Sequence, residues 1–184
     1  MRLFVALDLP PHVVRNLESL LDGLRPTAHI AWSPPANLHI TTKFIGWWPD
    51  ERLEEVKTAL AGVPRRGPIS LEIRGLGFFP NPRSPRVFWC GIEAPGLHDL
   101  AADTDRATAA LGIESESRPF SPHLTLARIK ERLDLGRLHD AIAALPSHEF
   151  GRYEARSFFL YRSIPGPKGS VYTKLAEFPT EPQP

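Results

Sequence analysis

A single cysteine, Cys90, in a chain of 184 residues excludes an internal disulfide framework and any zinc site built from clustered cysteines. No apolar run approaches the ~18 residues a membrane-spanning helix needs. The opening Met1-Arg-Leu-Phe-Val-Ala-Leu-Asp8 is too short, and acidic too soon, for a signal peptide, so a cytoplasmic protein is expected. A charge of one sign is also missing. The formal net is +1, from 22 basic and 21 acidic residues, and residues 1–92 and 93–184 carry 11 against 8 and 11 against 13. That balance argues against a protein that coats long duplexes by neutralising their phosphates.

What is present is ordinary for a globular chain, with 42% hydrophobic and 23% charged residues. The length fits one domain, 1–184, or two small halves sharing a core. The basic residues lean to arginine, 17 against 5 lysines. A guanidinium suits two-pronged phosphate contacts, although genome composition produces the same bias.

Twenty prolines and 13 glycines cut the chain into short elements. Arg2–Asp8 reads as a buried strand. Pro10-Pro11 opens a helix to about Leu24 with Val13, Val14, Leu17, Leu20, Leu21 and Leu24 on one face. Asn37–Ile45 alternates as a strand, and Asp50 is placed to cap a second helix. Strands are expected at Ile69–Phe79, Arg86–Glu93, His123–Ile129, Tyr153–Arg162 and Tyr172–Phe178. Helices are expected at about Leu97–Leu111 and Leu135–Leu145, and 179–184 as a frayed tail. Several direct strand-to-strand steps do not fit a doubly wound parallel sheet. The expectation is an α+β protein with helices outside largely antiparallel sheets.

A weak duplication runs through the chain. Ser33-Pro-Pro-Ala-Asn-Leu-His39-Ile-Thr41 and Phe120-Ser-Pro-His123-Leu-Thr125 each place proline shortly before His-x-Thr at the start of an apolar strand. Residues i and i+2 of a strand share a face about 6–7 Å apart, so each histidine lies beside a hydroxyl. One such tripeptide means little. Two on matched strands, 84 positions apart, can hold a tetrahedral oxyanion between two imidazoles. Imidazole titrates near pH 6.5, so one copy can take a proton from water while the other gives one to a leaving alkoxide. The threonine hydroxyls can stabilise charge on non-bridging oxygens. Spacing alone leaves open which histidine does which.

These residues resemble the two-histidine (2H) phosphoesterase superfamily, and within it the RNA 2′,3′-cyclic phosphodiesterases once called 2′-5′ RNA ligases. The resemblance rests on Arg2–Pro10, Trp32–Gly46, Pro122–Arg128 and Leu160–Ser163 with Tyr172. It implies a bilobal, pseudo-two-fold fold whose two antiparallel sheets flank a V-shaped groove. It implies hydrolysis of an RNA 2′,3′-cyclic phosphate to a 2′-phosphomonoester, with 2′-5′ joining as the formal reverse and with no metal or cofactor. By the same resemblance His39 is the general acid and His123 the general base, with Thr41 and Thr125 on the phosphate. Arg128 matches a family arginine near the phosphate, but strict alternation puts it opposite His123 and Thr125, so contact requires a bulge or a strand end.

The terminal base and ribose need an apolar surface, and Phe4, Tyr172, Phe79 and Trp32 are the candidates. Phe44, Phe88, Trp89, Phe158 and Phe159 read as sheet core, and Trp47-Trp48 as loop packing. The other five histidines lack the following threonine and read as surface or capping residues. Cys90 reads as an inert buried thiol. The expected partner is an RNA 3′ end bearing a cyclic phosphate, met by a monomer away from any membrane. The alternative is a non-catalytic nucleotide- or RNA-end-binding protein of the same fold, against which the presence of both histidines and both threonines speaks. Two histidines on separate strands without an adjacent carboxylate make a poor metal site.

Overall fold

The computed structural model describes residues 1–184. Strand β1 (Arg2–Leu7) is buried on both faces, as its unbroken apolar run requires. One face joins the apolar core, and the other carries side chains of a cleft. Helix α1 (Pro11–Leu24) comes next, and a two-residue strand β2 (Ala31–Trp32) precedes β3 (Ile40–Trp47). Helix α2 (Leu53–Ala61), β4 (Ile69–Phe79), β5 (Val87–Glu93), α3 (Pro95–Ala109) and β6 (His123–Arg128) follow. The chain closes with α4 (Gly136–Ala143), β7 (Glu149–Ala155), β8 (Ser157–Gly166) and β9 (Gly169–Pro179).

The strands form two antiparallel sheets, ordered β3-β1-β8-β9 and β2-β6-β5-β4-β7. The fold is therefore the expected α+β pair of sheets. Matching β3, β1, β8 and β9 to β6, β5, β4 and β7 brings out the duplication, with one His-x-Thr strand in each sheet. Each sheet also contains one strand–helix–strand unit, β1-α1-β3 or β5-α3-β6. The helices exchange places. α1 leaves the four-stranded sheet and lies on β7 of the other, where Gly151 (φ +136°) lets Val13 approach and Asn16 Nδ2 donates to Phe150 O at 2.8 Å. α3 leaves the five-stranded sheet and lies on β3. One contiguous apolar cluster results, including Leu3, Val5 and Leu160 of one sheet and Leu71, Phe88, Cys90 and Leu124 of the other.

Several local expectations need correction. The run expected as one strand, Tyr153–Arg162, is the end of β7 and the start of β8, broken at Arg156. β8 and β9 continue to a tight hairpin at Gly166–Gly169, where a longer loop was expected. Asp50 sits in a 3₁₀ turn and caps nothing on α2, whose N-cap position is Arg52. The start of the 179–184 segment is tied down: Thr180 is buried, donates its N–H to Arg156 O at 2.9 Å, and accepts from Gly67 N–H at 2.9 Å. No helix is long and apolar enough to cross a membrane.

Candidate active site

The two His-x-Thr strands are brought together by the segment between β2 and β3. Ser33 N–H donates to Leu126 O and its Oγ to Thr125 O, both at 2.8 Å, which pins the chain to β6 just before it turns toward His39. Asn37 Nδ2 donates to Ser170 O at 2.8 Å, fixing the same turn to the β8–β9 hairpin. His39, Thr41, His123 and Thr125 consequently line a single cleft of about 690 Å³.

The imidazoles are oriented alike. His39 Nδ1 lies 2.6 Å from Asn37 O, and His123 Nδ1 lies 2.8 Å from Ser121 O, each two residues upstream. A carbonyl only accepts, so both Nδ1 atoms carry hydrogen and both Nε2 atoms are left for proton transfer. His39 is further held between Phe4, at 4.8 Å between ring centroids, and the edge of Tyr172, at 5.0 Å. His123 meets Phe79 edge-on at 5.1 Å.

A bulge in each strand shapes the cleft. Phe88 pairs with Ala127 and Trp89 with Thr125, so Leu126 is an extra residue in β6. The inserted residue shifts the alternation and puts Arg128 on the face of His123 and Thr125, where it lines the cleft. In β3, Val5 pairs with Lys43 and Ala6 with Thr41, so Thr42 is extra, and Phe44 takes the place Arg128 has in β6. The spacing i, i+2, i+5 therefore recurs as His39, Thr41, Phe44 and His123, Thr125, Arg128. Thr42 faces away from the cleft and is buried.

Among the aromatic candidates, Phe4, Trp32 and Tyr172 line this cleft, while Phe79 lines an adjoining depression with Trp89, Arg74 and His123. Phe4 is only 4% exposed, and its ring is stacked on Tyr161 at 5.3 Å as well as leaning on His39. It has no free face to offer a base; it holds His39 in place. Trp32 is half-buried, donates Nε1–H to Ala28 O at 3.0 Å and packs edge-on to Phe88. Phe88, Phe158 and Phe159 are core, as expected, whereas Phe44 is exposed and Trp89 lies half-buried over Gly77. Trp48 packs as expected, its Nε1–H donating to Arg52 O, but Trp47 does not. None of the other five histidines lines the cleft. Burial pushes the Cys90 thiol up to about 12, which suppresses thiolate chemistry.

The electrostatics of the cleft are one-sided. Its lining includes Arg2, Arg128, Lys130 and Lys168 and no carboxylate, in a chain whose charges otherwise balance. Burial lowers the His39 pKa below the usual imidazole value, partly offset by the Asn37 carbonyl and by Asp8, and Arg128 and His123 reinforce the fall. Asp8 itself accepts from the Tyr161 hydroxyl and from Lys174 Nζ, the latter at 2.6 Å. The arrangement can bind a phosphate between two hydroxyls and an arginine, with one imidazole in each sheet.

A sequence model of the family described as LigT-like phosphoesterases matches residues 7–89 and 92–172, and each stretch contains one of the two His-x-Thr motifs. An Archaeoglobus fulgidus protein named RNA 2′,3′-cyclic phosphodiesterase is 35% identical over 97% of this chain and 99% of its own length. A crystal structure of a Thermus thermophilus protein superposes with a TM-score of 0.81 at 34% identity, covering 98% of both chains. The Escherichia coli LigT structure complexed with 3′-AMP gives 0.79 at 27% identity, covering 97% of both. With the family model matching across both sheets and full-length relatives above 30% identity, the chain belongs to the LigT-like phosphoesterase family, within the 2H superfamily.

Proposed function

We propose that this protein hydrolyses RNA 2′,3′-cyclic phosphate ends to 2′-phosphomonoesters, and that His39 and His123 share the proton transfers. The observation that carries the reading is the pair of imidazoles with equivalent Nδ1 anchors and free Nε2 atoms in one cleft lined by cations and no carboxylate. The names of the curated relatives and the 3′-AMP bound to E. coli LigT, a nucleotide with its phosphate at the ribose 3′ position, support the substrate class.

In this reading the cyclic phosphate lies between Thr41 and Thr125 with Arg128 on a non-bridging oxygen. His123 Nε2 takes a proton from water as its oxygen bonds to phosphorus, and the P–O3′ bond breaks as His39 Nε2–H protonates O3′. The hydroxyls and the guanidinium meet charge as it builds on the phosphoryl oxygens. In-line displacement needs the base and the acid on opposite sides of phosphorus, and the two motif strands belong to different sheets. Joining of a 5′-hydroxyl to the cyclic end at O2′ uses the same groups, with the alcohol in place of water.

The test is a short oligoribonucleotide ending in a 2′,3′-cyclic phosphate, incubated with excess EDTA and resolved by mass and enzymatic digestion. Conversion to the 2′-phosphate is the expected result. Binding without conversion would place the protein among non-catalytic RNA-end binders.

The depressed His39 pKa sharpens the assignment. A general acid must hold its proton when substrate is bound, and burial works against that in the free protein. A phosphate anion between the histidines supplies the missing counter-charge. Inorganic phosphate is therefore expected to raise the His39 pKa, read by NMR titration of its imidazole carbons with and without phosphate. A His39 titration indifferent to phosphate would remove it from the phosphate site.

A further inference from the structure

The edge strand β3 extends the cleft-facing side of its sheet beyond the two histidines. Trp47 pairs directly with Arg2, and Phe44 with Phe4. Directly opposed residues of antiparallel strands share a face, and Arg2 and Phe4 line the cleft, so the Trp47 indole and the Phe44 ring are on the cleft side. His39, Thr41, Phe44 and Trp47 thus follow one another along one strand. Phe44 is 58% exposed and Trp47 79%, the two most exposed large apolar side chains of the protein. Nothing in the fold uses the Trp47 indole, while its neighbour Trp48 is buried and hydrogen-bonded.

The cations lie around the same region. Arg2 is beside Trp47, Lys168 is on the β8–β9 hairpin, and Arg128 and Lys130 are on the facing wall. None of the four forms an ion pair, whereas Arg52, Arg66, Arg152 and Arg156 on other surfaces do. Free rings interleaved with unpaired cations suit single-stranded nucleic acid, whose bases stack whatever their identity and whose phosphates follow the charge. The same pattern does not suit an acidic peptide, which brings no series of flat rings.

We infer that β3 is a stacking rail for the RNA strand 5′ of the cyclic end, with Phe44 receiving the second base and Trp47 the third. The inference rests on the proposed reading of the dyad, in which O3′ leaves toward His39. That direction puts the terminal ribose on the β3 side, from which the strand runs toward Trp47. The protein on this account reads an RNA end about three nucleotides deep and without sequence preference.

The experiment compares kcat/KM for nucleoside 2′,3′-cyclic phosphate and for di-, tri- and tetranucleotides with the same cyclic end. Each of the first two added nucleotides is expected to raise kcat/KM roughly five- to hundredfold, the range of one base–aromatic stack, and the fourth to add little. In Trp47→Ala the trinucleotide-to-dinucleotide ratio falls toward one, in Trp47→Phe most of it returns, and a trinucleotide abasic at its 5′ position loses it in the wild type. Each ratio is internal to one protein, so a change in overall rate does not disturb it. Equal kcat/KM at all lengths, or a ratio untouched by Trp47→Ala, overturns the rail. Absence of turnover at every length instead removes the reading of the dyad, a separate result.

Discussion

Replacing His39 or His123 with alanine is expected to lower kcat on a cyclic-phosphate end by about 10²–10⁴-fold each, the usual contribution of a positioned acid or base. The two effects should not multiply. In the proposed mechanism proton removal and proton delivery belong to one displacement, so the double variant is expected to fall little below the worse single one. Folding should survive both changes, with His39→Ala the more destabilising, because that ring is packed between Phe4 and Tyr172 whereas His123 is packed against Phe79 alone. The acid and the base can be told apart by the leaving group. Sulfur in place of O3′ departs without needing a proton, as the lower pKa of thiols than of alcohols requires. The deficit of His39→Ala is expected to shrink on that substrate and the deficit of His123→Ala to persist. Wild-type turnover by either alanine variant would disprove the mechanism, and the opposite pattern on the sulfur substrate would exchange the two roles.

The motif strands, the alternation that puts each threonine beside its histidine, and the repeat of proline before His-x-Thr were legible in the residues; the strand–helix–strand unit behind that repeat was not. The obstacles were local breaks in periodicity and contacts between distant elements. A period of two cannot announce an inserted residue, so Leu126 gave no sign that Arg128 changes face; only pairing with β5 exposes the bulge. Phe44 in an apolar strand looks like core until the matching bulge at Thr42 turns it toward solvent. Trp47 and Trp48 differ by one residue of alternation, and the residues alone do not show which one the fold covers. The exchange of helices between sheets is a tertiary choice with no local signature. Asp50 had a capping residue's chemistry, but a 3₁₀ turn intervenes before the helix.

Lys43 is the residue that sequence reasoning missed, and it carries the second large prediction. A lysine in a strand normally keeps its ammonium in water, yet Lys43 is 1% exposed. The bulge at Thr42 turns it to the helix side of the sheet, where Nζ donates to Asp105 Oδ1 of α3 and to Glu114 O, both at 2.6 Å. Asp105 also accepts from Glu116 N–H at 3.1 Å. Burial alone would raise the Asp105 carboxyl, but these donors and the ammonium outweigh it and hold the pKa below the ordinary carboxylate value. Asp105→Asn keeps the size and removes the charge, leaving an ammonium buried without its close counter-ion. Breaking a buried pair from one side costs about 3–5 kcal/mol. Asp105 retains 24% side-chain exposure, so the lower end, about 3 kcal/mol, is expected. Lys43→Met removes the desolvated charge along with its partner's need and is expected to cost much less. Urea titration with an unchanged m-value reads both. The sign with pH follows from the depressed carboxyl: its stabilisation is present above the unfolded pKa and is lost as pH falls through the folded one, so wild type and Asp105→Asn converge below about pH 4. Equal losses in the two variants, or a gap that persists in acid, would reduce the tie to packing. If the asymmetry holds, the tie has a consequence for the site. It joins β3, which follows His39, to α3 and to the 114–116 segment, from which the chain runs on to His123, so the charge pair ties the two motif-bearing stretches together.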